Sequence, residues 1–359
     1  MTCQTPSAME PVRGAIIRTL AFNAAWGYAP TRLQLIAGLD AGPVGVVGVE
    51  TQNLASNPKT QDFASLRINL PTVWSELDRM IREGMVIEQE ARLALAPYAE
   101  QIMQGREREI FFPRKLRHAR WAAAYIGRLP WVRAVCLCNT TALGQARDQG
   151  DLDFFVVAKA GTIWRTRFFA ALPFKLFGAR PHSSPQPSLN VREGAPARIA
   201  SEAWRARRRV GELSDSVCLS FFVTDDALDL ARYMLPDADP YFRHWFLSWL
   251  PLRDDGVLQE LWERNAPIRQ RHPLARFWTA LDAEDWLKPQ KSEPSGNSWL
   301  EGVLKRVQMK KFPQAIKDLA NRDTRVVVTD QALKFHVEDK REAFRVCYHD
   351  ICRQYGVEP

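Results

Sequence analysis

The chain has 359 residues, 46% apolar and 25% charged, the composition of a folded globular protein of two or three domains rather than a disordered one. No segment approaches the roughly 20 uninterrupted apolar residues of a membrane-spanning helix, and Met1 to Gly14 lacks the apolar stretch of an export signal, so a cytoplasmic protein without a membrane partner is expected. A balance of 49 basic against 41 acidic residues gives a net charge of +8. That excess suits polyanionic partners, although an arginine-rich genome would leave the same excess.

Val12 to Trp26 carries Ile16, Ile17, Leu20 and Ala24 at helical spacing. A turn at Gly27–Pro30 precedes a short helix, Thr31 to Gly38, that Thr31 can cap. Residues 40–66 are rich in Gly, Asn, Ser and Pro and read as a long loop. A third helix, Pro71 to Glu83, turns Val73, Leu77, Met80 and Ile81 inward and stops at Gly84. Met85–Ile87 and Leu93–Leu95 then flank a polar turn, as in a β-hairpin. Three helices and a hairpin are the layout of a winged helix, which places a first domain at residues 1–98. Its third helix offers Glu76, Asp78, Arg79, Arg82 and Glu83, a nearly neutral face that argues for protein contact or scaffolding over duplex DNA.

From Gln101 to Arg133 there are eight Arg or Lys against Glu107 and Glu109, mostly on a helix from Pro113 to Gly127 with Leu116, Ala119, Ala123 and Ile126 inward. The helix is either a solvated face or a positive wall beside the next segment. Ala134–Cys138 reads as a short strand bounded by Asn139-Thr140-Thr141, Thr141 to Arg147 as a brief helix, and Asp148–Gly150 as a turn. Phe154–Ala158 reads as a buried strand entered through Asp151-Leu152-Asp153. Side chains two apart on a strand share a face, so Asp151 and Asp153 project together. Two adjacent carboxylates repel unless a cation or proton lies between them, and oxygen-only ligation suits Mg²⁺ or Mn²⁺. An isolated D-x-D is also common as a pair of solvated acids at a strand entrance.

The run Val135-Cys136-Leu137-Cys138-Asn139-Thr140-Thr141-Ala142-Leu143-Gly144, followed by Gly150-Asp151-Leu152-Asp153-Phe154-Phe155-Val156-Val157, resembles the nucleotidyltransferase superfamily of the DNA polymerase β type. Gly161 to Arg167 is also similar to the segment after the D-x-D strand in a bacterial and archaeal subgroup with a winged-helix front end. The resemblance implies an α/β (α+β) mixed-sheet core at 99–235 behind the winged-helix-like domain, with the remainder, 236–359, as a mostly helical C-terminal region. It implies an enzyme that uses Mg²⁺ or Mn²⁺ and a nucleoside triphosphate to transfer a nucleoside monophosphate to an unidentified hydroxyl acceptor. Asp151 and Asp153 would hold the metal. Asn139, Thr140 and Thr141 would meet the triphosphate, and Trp164, Arg165 and Arg167 are candidates to stack on a base and neutralise charge. For these last three, an aromatic core residue and two surface arginines are the structural alternative.

Two departures stand out. Asn139-Thr140 replaces the family's Gly-Ser, and Ser220, in Val217–Val223, occupies the slot of a third carboxylate. Asp215 is the preferred substitute, ahead of Asp225 and Asp226. These departures motivate the alternative of a non-catalytic binding or regulatory protein on the same fold, with a nucleotide, RNA or protein partner.

Six scattered cysteines, none in a C-x-x-C pair, read as reduced thiols and exclude a zinc ribbon or disulfide framework. Hydrolase, Walker, dinucleotide-binding and H-E-x-x-H motifs are absent. His336 reads as an ordinary surface histidine. The basic cluster Trp204–Arg209, after the Pro/Ser-rich stretch 181–196, fits either RNA or a solvated loop. Beyond residue 230 the chain reads as helical, with Trp245, Trp249, Trp262, Trp278, Trp286 and Trp299 as core aromatics and 287–298 as a loop or lid.

Overall fold

The structure, a computed structural model, describes residues 9–42, 70–176, 215–276 and 298–359. The long loop expected at 40–66 (from residue 43 on), the 181–196 stretch, the Trp204–Arg209 cluster, Trp278, Trp286 and nearly all of the 287–298 loop lie outside these residues.

The first unit comprises α1 (Met9–Trp26), α2 (Arg32–Ala37), α3 (Leu70–Arg82) and the hairpin β1 (Val86–Gln89) with β2 (Arg92–Leu95). Val12, Ile16, Ile17, Leu20 and Ala24 are all buried, as their spacing predicts. Thr31 and Gln34 form a capping box at the start of α2. The hairpin turn is only Glu90-Ala91, both left-handed (φ 52° and 58°), so the strands run closer to the tip than the polar residues suggest.

The middle segment runs through α4 (Glu100–Glu109), α5 (Phe112–Ile126), β3 (Val132–Leu137), α6 (Asn139–Ala142), β4 (Leu152–Ala158), α7 (Ile163–Leu176) and β5 (Val217–Thr224). The basic residues around α5 are largely committed to internal partners. Arg106 pairs with Glu90, Arg114 with Asp148, Lys115 with Asp215, and Arg133 with Asp225 and Asp255. This segment is a set of ties between elements more than a free positive wall.

The last segment contains α8 (Pro240–Leu247), β6 (Leu250–Asp254), α9 (Val257–Arg264), α10 (Ala266–Arg269), α11 (Ser298–Lys311), α12 (Gln314–Leu319), β7 (Val326–Val328), β8 (Ala332–Phe335) and α13 (Arg341–Gln354). It is mostly helical, as expected, but three of its segments are strands of the main sheet. Pro251 and Arg253 mask β6 in the sequence, and β6 is an edge strand, where a proline is tolerated.

The main sheet is mixed, in the order β6-β3-β4-β5-β8-β7, with β4 parallel to β5 and every other pair antiparallel. Leu152, Phe154 and Val156 of β4 face one core with α5, α7 and α11, whereas Phe155 and Val157 face another with α8 and α9. Trp245, Trp249 and Trp262 are buried in the second core, which bears out their reading as core aromatics, whereas Trp299 is exposed. A third core joins α1 and α3 to Phe344, Tyr348 and Ile351 of α13. No helix among the described residues is long and apolar enough to cross a membrane.

Arg341, buried at the start of α13, donates to the Tyr233 carbonyl, Asp239, Asp339 and Thr324 Oγ1. Asp239 is itself fully buried and caps α8. Removing the guanidinium strands this buried charge. Arg341→Met is therefore expected to cost about 3–5 kcal/mol, read as a lower urea midpoint at unchanged slope.

Candidate functional site

β3 ends at Leu137, and the N–H of the next residue, Cys138, donates to the Asp153 carbonyl at 2.8 Å. The chain then turns through Asn139, which is left-handed at φ 61°. Asparagine tolerates this conformation better than other residues with a β-carbon, so Asn139 can make a left-handed turn that would otherwise favour glycine. Its Nδ2 donates to Asp153 Oδ2 at 2.7 Å, and its Oδ1 accepts from the Tyr241 hydroxyl at 3.4 Å. The side chain of Thr140 is half-exposed and its hydroxyl has no hydrogen-bond partner among the described residues. Thr141 is buried.

Asp151 and Asp153 lie at the entrance of β4, both half-buried. The Ser216 hydroxyl donates to Asp151 Oδ1. Asp153 also meets the Cys218 thiol, directly across the β4–β5 ladder. Burial pushes the Asp153 carboxyl above its ordinary range, and the neighbouring Asp151 carboxylate pushes the same way, against the hydrogen bonds from Asn139 and Cys218. No Lys or Arg among the described residues forms an ion pair with either acid. Several other acids near the core are ion-paired: Asp40 with Arg271, Glu76 with Arg13 and Arg79, Asp239 with Arg341, and Asp255 with Arg133. The buried Asp254 instead accepts from the N–H groups of Gly256 and Leu258.

Asp215 does not join this pair. Its side chain is 2% exposed and is taken up by Lys115 Nζ at 2.7 Å, Arg114 at 3.3 Å and His118. Burial would raise its carboxyl, but Lys115, His118 and Arg114 together hold it below the ordinary range. Asp215 ties α5 to the strand entrance. Asp225 and Asp226 follow the far end of β5 and contact Arg133, Thr224 and Gln331. Among the described residues no three His, Cys, Asp or Glu side chains converge as a metal-binding group.

Trp164, Arg165 and Arg167 lie on α7, against the opposite face of the sheet from Asp153. Trp164 is 1% exposed and its indole donates to Asp330 at 2.7 Å. Arg165 sits over Trp131 and near Glu301, and Arg167 donates to Gln308 and covers Phe312 and Phe335. All three are packing and tethering residues here, because α7 starts from the far end of β4.

The slot of the third acid holds a hydroxyl–imidazole pair. Ser220 Oγ lies 3.2 Å from His336 Nε2, and a β-bulge between β4 and β5 lies next to Ser220. His336 is half-buried rather than a surface residue, and burial, reinforced by Lys334, lowers its pKa to about 3. Cys218 contacts both Asp153 and Ser220. Asn139, Asp153, Cys218, Ser220 and His336 thus form one polar row beside the aromatic core. Cys218, Tyr241 and His336 could not be assigned to it from spacing, because they arrive from three separate segments.

No family model, no curated protein and no solved structure matches this chain.

Because burial raises the Asp153 carboxyl, its charged form opposes folding. The penalty is absent below the ordinary aspartate range, grows as pH rises through that range, and is complete above the raised value. Asp153→Asn is expected to raise the melting temperature of the protein in EDTA at neutral pH, with the gain vanishing at acid pH. Thermal unfolding across pH checks this.

Proposed function

We propose that this protein binds a nucleoside triphosphate with Mg²⁺ or Mn²⁺ at Asp151 and Asp153 and transfers its nucleoside monophosphate to a hydroxyl acceptor. The acceptor oxygen bonds to the α-phosphorus as the bond to the β-phosphate oxygen breaks. Pyrophosphate leaves, and the hydroxyl proton passes to solvent. The observation that carries this reading is the pair of adjacent carboxylates without a cationic partner among the described residues, at the entrance of a strand otherwise buried on both faces. Two hard oxygen donors with no ammonium or guanidinium beside them fit a divalent metal that substrate phosphates complete. Once bound, the metal neutralises phosphate charge at the reacting end of the triphosphate.

The chain's own residues prepare that site. Asn139 Nδ2 and the Cys218 thiol orient the Asp153 carboxylate with neutral donors, so its charge stays available to a cation. Ser216 does the same for Asp151. The hydroxyl of Thr140, without a described partner, can donate to a phosphate oxygen. The antiparallel β3–β4 pair, the single turn α6 between them and the parallel β4–β5 pair are consistent with the nucleotidyltransferase-type core that the motif resembles. We read residues 1–98 as the winged-helix-like unit in front of it. Its outward charges are mutually neutralised, Arg32 with Asp78 and Glu88, and Arg79 with Glu83, which favours a protein-facing role over duplex binding.

A second reading, nucleotide binding without turnover, is favoured by one observation. Asp215 is neutralised by its basic neighbours, and His336, held at about 3, is a weak proton acceptor at neutral pH.

Calorimetry with each nucleoside triphosphate, in Mg²⁺ and then in EDTA, tests the site. Metal-dependent binding is expected in the wild type and not in the Asp151→Asn/Asp153→Asn double variant. Asn139→Ala, which frees Asp153, is expected to weaken the metal-dependent part by about 10–100-fold. Absence of binding in the wild type would overturn the proposal. Binding without pyrophosphate release over a panel of hydroxyl acceptors would favour the second reading.

A further inference from the structure

A second polar cluster, remote in sequence from the carboxylate pair, lies where α1, α2, α8 and α13 meet. At its centre is Asp40, 4% exposed, which follows α2. Its Oδ1 accepts from Arg271 Nε at 2.8 Å and from the Gly42 N–H at 2.9 Å. Its Oδ2 accepts from the Tyr348 hydroxyl at 3.4 Å, and its backbone carbonyl accepts from Arg18 Nε at 3.0 Å. Burial would raise the Asp40 carboxyl, but the guanidinium charges of Arg271 and Arg18, with the hydrogen bond from Arg271, hold it well below the ordinary range.

One carboxylate does not balance the positive charge around it. Arg243 also interacts with Asp40 and Arg271, and it has no hydrogen-bond or ion-pair partner for its guanidinium among the described residues. Burial lowers the pKa of both Arg18 and Arg243, and the charge of Arg271 adds to the effect. One donor of Arg18 goes to the Glu358 carbonyl and one of Arg271 reaches a carboxylate oxygen of Pro359, the last residue, which leaves the guanidinium groups of Arg18, Arg243 and Arg271 against the carboxylates of Asp40 and Pro359. Even so, Arg271 Nη2 is buried without a partner, and so is Nε2 of the adjacent His272, a residue only 2% exposed. A buried polar atom left without a partner is costly, and here two stand on consecutive residues beside excess positive charge.

The partner of His272 fixes what its free nitrogen can do. Nδ1 lies 3.1 Å from the Gly38 carbonyl, which can only accept, so Nδ1 carries the hydrogen. Burial keeps the imidazole neutral, and Nε2 is then an acceptor. The cluster therefore offers guanidinium donors and one imidazole acceptor with net positive charge. An oxyanion that also carries a hydroxyl satisfies both. We propose that this cluster is a binding site for hydrogen phosphate or the phosphate group of a monoester, held by Arg243 and Arg271 with its P–OH donated to His272 Nε2. Sulfate and phosphodiesters match the charge but carry no hydrogen at neutral pH, so they are disfavoured.

The test uses the full-length protein in EDTA near pH 6.5, titrated by calorimetry with inorganic phosphate and with sulfate at matched ionic strength. Phosphate is expected to bind at least about tenfold more tightly than sulfate, the loss of one buried hydrogen bond. Glycerol 2-phosphate should follow phosphate, and dimethyl phosphate should follow sulfate. If phosphate alone binds and the monoester does not, the ligand is the free ion. Arg243→Gln, at a half-buried position, should lower phosphate affinity by about tenfold or more with unchanged circular dichroism, and Arg243→Lys should restore it in part. The Asp151→Asn/Asp153→Asn variant should bind phosphate as the wild type does, so failure of the nucleotide site leaves this result standing. Equal binding of phosphate and sulfate, no binding of either, or full phosphate affinity in Arg243→Gln would overturn the proposal.

Discussion

The arrangement of this protein depends on β4. Phe154 to Ala158 is apolar on both faces, so the strand is stable only with a helical layer on each side and a neighbour at each edge. The chain supplies these from distant places: α5, α7 and α11 on one face, α8 and α9 on the other, β3 and β5 alongside. Burying each large side chain there contributes roughly 1.5–3 kcal/mol. The aromatic cluster of Phe155, Phe221, Trp245 and Trp249, with stacked and edge-on rings, concentrates that gain beside the polar row.

This burial also makes the entrance of β4 chemically distinctive. Several inner acids elsewhere are neutralised by arginine or lysine, and the ties so formed join segments far apart in sequence: Asp215 to α5, Asp239 to α13, Asp40 to the residues after α10. The buried Asp254 is held instead by backbone N–H groups. Asp151 and Asp153 instead receive only neutral donors, from Ser216, Asn139 and Cys218. A low-dielectric wall with two carboxylates and no counter-charge among the described residues is poised to take up a cation. The cluster around Arg243 and Arg271 has the opposite imbalance. The two clusters are built from different elements and carry charge imbalances of opposite sign, which is why opposite ligands are proposed for them.

The same structure separates binding from turnover. Asn139 keeps the left-handed turn that a glycine would supply, so the substitution in that motif costs the turn little. The Ser220–His336 pair is a larger change, since a hydroxyl and a neutral imidazole lack the negative charge with which a carboxylate would hold a cation. The nucleotide-binding half of the proposed function thus rests on better chemistry than the transfer half.

Much of this was legible in the chain itself. Helical spacing marked α1, α3 and α5, Thr31 marked the cap of α2, and the unbroken apolar run after D-x-D marked a buried central strand, because side-chain periodicity and capping are local properties. The carboxylate pair was legible for the same reason, since alternate strand positions share a face. Other features were not. Pro251 hid β6, whose pairing is permitted only because it is an edge, and nothing near residue 341 announces that α13 completes the core under α1. Asp215 looked available until Arg114, Lys115 and His118 were brought onto it, and Trp164, open in the sequence to base stacking or to the core, was placed in the core by α7. His336 and Cys218 joined the site, and Arg243, Arg271 and His272 gathered around Asp40, only through long-range packing. Local sequence determined which elements form and where two acids stand together. The tertiary fold decided which charges are neutralised, because a counter-ion is chosen by proximity in space and not along the chain.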